Sequence, residues 1–438
     1  METFPDRGDV ATEFPARPPA GSREERKFMK FARAVGDRET IKPAVSDDWG
    51  RRLWPFDVET LYAKARQGTG LEDFGAPPIE PAMTVLADSL EREATLHQVG
   101  RFLMRTHLLD LLKTRLRLVD AWKRRSQEDV ESSSIARPIF ITGTPRSGST
   151  FLHELLAADP ALRAPRVWEV MFPVTANEPD RGWRDRRVWN AAASLWWFRR
   201  LAPGADAVYP MRTRTPHECV AIHSYCLMSE DFVSSCRVPT YEAFLRSSDL
   251  VPLYQWERRF LQHLQQNQPG RRWVLKAPDH VYGLESLFSV FPDAVVIQTH
   301  RDPLQVLKSS IHLNWVLRGL YSRPDDPIQL AEREARLLAG ATDRLVRFRD
   351  AHPELAERFL DVDYGELTAD PLAVIIRIYG RFDLMLTPEA ERRMRRLALR
   401  RSRYRGRRSV PSLAEIGFDE LALAGLVGAQ PVSERFDL

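Results

Sequence analysis

Between residues 58 and 125 apolar side chains recur at intervals of three and four, with charge on the remaining faces. The run "VLADSLEREATLHQVGRFLMRTHLLDLLKTRLRLVDAWKRR" carries the pattern most clearly and predicts two or three packed helices. A polar break, "QEDVESSS", ends it. The rhythm then changes. "ARPIFITGT" reads as a strand, and residues 149–158 as a helix. "RRWVLKAPDH" supplies a second strand, followed by a short helix over 284–291. "DAVVIQTHRDP" and "ERFLDVDYGELTADP" give a third and a fourth, followed by helices over 304–317 and 372–381. Short apolar strands, each followed by an amphipathic helix, imply a parallel sheet buried on both faces. The expected architecture is therefore α/β: a P-loop-like parallel sheet flanked by helices, with a helical N-terminal extension and a C-terminal arm. The divisions fall at 1–45 (disordered), 46–134 (helical extension), 135–385 (α/β core) and 386–438 (basic arm). In such sheets the ligand site lies beyond the carboxyl ends of the strands.

Composition narrows the class. The 438 residues can bury one large core, and 43% hydrophobic with 28% charged is ordinary for a water-soluble chain. The formal net charge of +4 admits anionic ligands without requiring nucleic acid, and none is expected. Three cysteines with no metal-ligand spacing suggest free thiols in a reducing compartment, with no metal. The N-terminus has no apolar run behind its charges, and no stretch approaches ~20 apolar residues, so a cytoplasmic protein is expected.

The candidate chemistry begins with "FITGTPRSGSTFLHELL". Gly143, Gly148, Ser149 and Thr150 keep the Walker A spacing, yet Ser149 stands where that motif requires lysine. The loop's cation is instead Arg146. Backbone N–H groups at a helix start suit phosphate, and Arg146, Ser147, Ser149 and Thr150 add side-chain donors. A second element, "HRDPLQVLKSS", places Arg301 at a strand end and Ser309 two helical turns on. Two anion sites on one sheet point to a nucleotide with phosphate at both ends.

These paired elements resemble those of sulfotransferases that use 3′-phosphoadenosine 5′-phosphosulfate (PAPS), in the bacterial branch nearer the tyrosylprotein enzymes. "APRVWEVMFP", "VLKAPDHVYGLESLFSVFPDA" and "YGELTADPLAVIIRIYGRFDL" are similar to further segments of that branch, and the likeness covers about residues 71–419. The resemblance implies PAPS as co-substrate and sulfuryl transfer, without metal, to a hydroxyl (less readily an amine) on a small-molecule, lipid or glycan acceptor. It places Arg146 beside the bridging oxygen of the sulfate ester, and Ser147, Gly148, Ser149 and Thr150 around the 5′-phosphate. Arg301 and Ser309 fall on the 3′-phosphate, Lys276 beside the sulfuryl group, and Glu169 where the branch carries its general base. The usual nucleotide-clamping loop is absent in its familiar form, with "RYRGRRS" as a weak substitute. His217 and His280 are candidates to contact substrate, and Glu218 and His223, which share "TPHECVAIHSY" with His217, either line the acceptor pocket or open a helix. Trp197, in the cluster at 196–198, either lines a lipophilic acceptor pocket, touches a membrane surface or packs in a buried helix. The alternative enzyme class is a P-loop kinase using ATP and Mg²⁺, against which Ser149 and the Arg301/Ser309 pair both count.

Overall fold

The computed structural model describes residues 47–125, 134–174, 185–201, 211–266, 270–322 and 326–404. The segment 1–45 and most of the arginine-rich tail lie outside these residues.

Five parallel strands form one sheet: β1 Ile139–Gly143, β2 Leu162–Arg163, β3 Arg272–Lys276, β4 Val295–His300 and β5 Phe359–Asp363. Their order is β2-β3-β1-β4-β5. Four of them are the apolar runs expected from the sequence. The fifth, β2, is a two-residue edge strand whose Leu162 and Arg163 pair with Arg272 and Trp273. Every residue of β1 and of β4 is buried, as a sheet covered on both faces requires.

The helices that bear on the site are α1 Val58–Thr69, α2 Glu80–Arg92, α3 Gln98–Lys123, α4 Ser149–Leu156, α5 Val167–Met171, α6 Arg186–Leu201, α7 Val251–Gln265, α8 Leu284–Val290, α9 Pro303–Arg318, α10 Pro327–Ala351, α11 Pro371–Arg381 and α12 Pro388–Tyr404. Several of the sequence signals for helix ends are realised. Asp302 caps α9, its side chain accepting from Gln305 N–H at 2.8 Å, with Pro303 at the first helical position. Asp326 and Asp370 do the same for α10 and α11.

The N-terminal helices α1 to α3 share one apolar core with the sheet, from Phe56 and Leu61 through Trp256 and Trp273 to Phe359. Arg115 on α3 is fully buried and links the two parts. Its guanidinium donates to the carbonyls of Phe74, Gly75, Pro77 and Tyr225, at 2.6 to 3.2 Å, and lies 3.9 Å over the Trp256 ring. A buried cation is tolerable only when so fully paired. At the other end α12 is no detached arm along its described length. Ala390 and Met394 are buried in a second core with Leu152, Leu155 and Ile378. The three cysteines are free thiols, all buried. Among the described residues no helix is long and apolar enough to cross a membrane.

Candidate active site

β1 ends at Gly143 and turns through residues 144–148 into α4. The turn works only with unusual backbone. Gly143 has φ 128°, and a Cβ there would stand 2.3 Å from the Thr299 carbonyl on β4. Gly148 has φ 91°, and a Cβ there would meet the Tyr364 ring at 2.8 Å. Arg146 takes φ 67°, a conformation non-glycine residues adopt at a cost of order 1–3 kcal/mol and chiefly at functional sites. Gly148 is the N-cap of α4 and brings no side chain to its first-turn N–H groups, so a ligand can satisfy them.

The second anion element closes on this loop. Arg146 Nε donates to Ser309 Oγ on α9 at 2.9 Å, and an Arg301 nitrogen donates to the Arg146 carbonyl at 3.0 Å. The Arg301 guanidinium lies 4.3 Å over the ring of Tyr364, the ring that also confines Gly148. Arg146 and the Arg301/Ser309 pair, more than a hundred residues apart in sequence, are thus one assembly. Ser147 differs from its neighbours. It is fully buried, and its hydroxyl binds Thr144 O and Thr299 Oγ1, both at 2.6 Å. That side chain shapes the loop, and the Ser147 N–H also turns to Thr144 O, at 3.4 Å.

β3 delivers Lys276 to the same end of the sheet. It is 3% exposed, with Nζ 2.5 Å from Glu218 Oε1. The segment bearing Glu218 is held there by backbone: Cys219 N–H donates to Lys276 O at 2.9 Å, and His217 N–H to Pro165 O at 2.7 Å. A cavity of about 910 Å³ opens above. Its head is lined by Arg146, Ser149, Thr150, Lys276, Glu218 and Arg301. Its apolar wall is Val170, Met171, Phe172, Leu195, Phe198 and Met211. A further wall carries Glu230, Arg246, Arg333 and Glu334, which pair among themselves.

Three expected site residues are placed elsewhere. Glu169, on α5, is 7% exposed and does not line the cavity. One carboxylate oxygen accepts from Arg163 at 3.1 Å, the other from Arg166 N–H at 2.9 Å. It caps its own helix and ties it to β2, and both oxygens are engaged in doing so. Of the two carboxylates it is Glu218 that lines the cavity, in the "TPHECVAIHSY" segment whose reading as pocket lining or helix start the sequence left open. His280 is fully buried behind β1, its Nδ1 2.9 Å from Tyr254 OH and its ring edge-on to Phe140. Burial lowers its pKa to about 4. Trp197 stacks edge-to-face with Trp196 at 4.5 Å; Phe198, the next residue, is the one that lines the cavity.

The remaining histidines divide by environment. His217 lines the cavity, and burial lowers its pKa. His153 binds Val274 O at 3.1 Å and is held neutral, burial and Lys276 pushing it down to about 3. Below the floor, His223 Nε2 meets Glu257 at 3.0 Å and its Nδ1 faces Asp279 at 3.5 Å. Burial alone would lower this histidine, but the two carboxylates outweigh it and raise the pKa to about 9. Asp279 also lines the cavity, so the buried imidazolium steadies part of its floor.

Residues 138–388 match the profile of the sulfotransferase family. The chain belongs to that family. Among solved structures, this sulfotransferase is similar to sulfotransferase STF1 from Mycobacterium tuberculosis H37Rv, at 30% identity and TM-score 0.71, over 85% of this chain and 99% of that one. Sulfotransferase STF9 from Mycobacterium avium gives 25% identity and TM-score 0.74, over 87% and 97%. A curated relative, the omega-hydroxy-beta-dihydromenaquinone-9 sulfotransferase Stf3 of Mycobacterium bovis, is 27% identical over 268 residues. That match spans 56% of this sulfotransferase and 63% of the relative's length. Family membership does not favour the kinase alternative.

Proposed function

We propose that the protein transfers the sulfuryl group of PAPS to the hydroxyl of a lipophilic acceptor. The observation that carries this reading is the Lys276–Glu218 pair standing at the head of an apolar-walled cavity, beside the glycine loop. PAPS supplies the activated sulfuryl group. The first-turn N–H groups of α4 with Ser149 and Thr150 would hold its 5′-phosphate, and Arg301 with Ser309 its 3′-phosphate. Glu218 accepts the proton as the acceptor oxygen forms its bond to sulfur. Lys276 orients that carboxylate. As the sulfur–oxygen bond to the 5′-phosphate breaks, Arg146 stabilises the charge left on the leaving oxygen.

The acceptor class rests on the wall from Val170 to Met211, which offers apolar surface to a chain or ring, and on the lipid named for the mycobacterial relative. Purified protein incubated with PAPS and a panel of long-chain primary alcohols should release adenosine 3′,5′-bisphosphate and yield sulfate esters detectable by mass spectrometry. With Arg146 and Lys276 supplying cations, turnover should survive EDTA. Transfer restricted to polar sugars, or none at all, would overturn the acceptor assignment.

A further inference from the structure

We infer that α6 docks the protein on an anionic membrane surface; the inference rests on the lipophilic-acceptor reading above. Among the exposed large apolar side chains of the described residues, the two tryptophans, Trp189 (43%) and Trp196 (37%), lie on this one helix. At about 100° per residue, Arg186, Trp189, Trp196 and Arg200 fall within an arc of about 80°. The opposite face is Ala191, Leu195 and Phe198; Ala191 and Leu195 are buried, and Leu195 and Phe198 line the cavity. One face of α6 is therefore wall of the acceptor cavity, and the other presents indole rings flanked by arginine.

Among the described residues of α6 and of the segment at 211–214, the exposed charge has one sign. Along residues 185–201 the only acid is Asp185, and it is paired with Arg187 at 2.7 Å. Arg186 and Arg200 are exposed, as are Arg212 and Arg214 on the segment that returns beside the helix. That return is tied in by Arg199 donating to Met211 O at 2.5 Å. Indole rings with cationic neighbours suit the headgroup layer of an anionic bilayer: the ring enters the interface and arginine meets the phosphates. An interfacial helix settles ~5–10 Å into that layer, comparable to its own thickness. Its inner face, and the cavity behind it, would then lie next to the acyl region from which a lipid alcohol must come.

The test uses the full chain and vesicles of phosphatidylcholine alone or with an equal part of phosphatidylglycerol. The protein should float with the anionic vesicles, bind neutral ones far less, and lose binding with added salt. Trp189→Ser with Trp196→Ser should abolish flotation, and Arg186→Gln with Arg200→Gln should weaken it roughly thirtyfold. Both double variants should keep the parent's affinity for adenosine 3′,5′-bisphosphate and its turnover of a short, water-soluble alcohol. Retained flotation in both would overturn the inference. So would a parent that sediments as a dimer, dissociates on tryptophan replacement and ignores vesicles, since the face would then belong to a second copy. Flotation lost as expected, in a protein that sulfates no alcohol, would sink the functional reading while leaving the docking face intact.

Discussion

Lys276 Nζ lies 2.5 Å from Glu218 Oε1, and the same lysine's carbonyl takes the N–H of Cys219, the residue after the glutamate. Side chain and backbone together fix a carboxylate over the strand end, where the proposed acceptor hydroxyl would arrive. Glu169 has an equally fixed carboxylate, pointed at Arg163 and at its own helix start.

The two glutamates should therefore part on substitution. Glu218→Gln keeps size but cannot take a proton, so kcat should fall ~10²–10⁴-fold with adenosine 3′,5′-bisphosphate affinity nearly unchanged. Glu169→Gln weakens a buried ion pair and a helix cap. Its melting temperature should drop while kcat stays within a few fold of the parent. Reversal of that pattern in steady-state assays and thermal melts would return the base to Glu169.

In the proposed site Arg301 would serve both phosphate elements, because it donates to the Arg146 carbonyl beside the position proposed for the 3′-phosphate. Hydrogen bonds to charged groups contribute ~1.5–3 kcal/mol. Arg301→Ala should weaken adenosine 3′,5′-bisphosphate by roughly one to two orders of magnitude. AMP should lose several fold, through the loosened Arg146 turn alone. Isothermal titration with both ligands checks this; an equal loss for both would remove Arg301 from the 3′-phosphate.

How much of this was legible in the sequence depends on how local the determinant is. β1 and β4 announced themselves because parallel strands buried on both faces must be continuously apolar. β2 could not be read, since two residues carry no period and become a strand only by pairing with Arg272 and Trp273, over a hundred positions away. The loop and the Arg301/Ser309 element were visible as motifs, yet their joining through Arg146 was not. Glu169 and Glu218 look alike on paper, each an acid opening a short helical segment. Which one faces the cavity is decided by Cys219 N–H reaching the end of β3, a tertiary fact. The sequence marked Glu218 as possible pocket lining with His217 and His223, but nothing local gave it the role of base. Ser147 misled for a related reason: in a tight loop a serine can serve its own backbone as readily as a ligand.

Gly148 gives a sharper test of the loop than any of its donors. Alanine there combines a positive φ of 91° with a Cβ 2.8 Å from the Tyr364 ring. The ring must move, and it carries Arg301 with it. Gly148→Ala should therefore cost nucleotide affinity at least as much as Ser149→Ala, although it removes no donor. Thermal shift with adenosine 3′,5′-bisphosphate reads both; parent-like binding by Gly148→Ala would show the loop is not so confined.

The buried histidines set a pH optimum for stability. His280 and His153 have folded pKa values of about 4 and about 3, below the unfolded value near 6.5. The unfolded chain binds their protons first, so stability falls as pH drops from about 6.5 towards 4. His223 has the opposite sign. Its folded pKa of about 9 exceeds the unfolded value, so its contribution is complete below about 6.5 and lost as pH rises to 9. The full contribution is on the order of 3 kcal/mol, since the group is wholly buried. Thermal melts from pH 4 to 9 should peak near 6.5, with falling limbs on both sides. His223→Gln should lower the peak and flatten the alkaline limb, and the acid limb should soften as well, because His280 loses a neighbouring cation while Glu257 and Asp279 remain beside it. An alkaline limb unchanged in that variant would mean Glu257 and Asp279 do not hold His223 as an imidazolium.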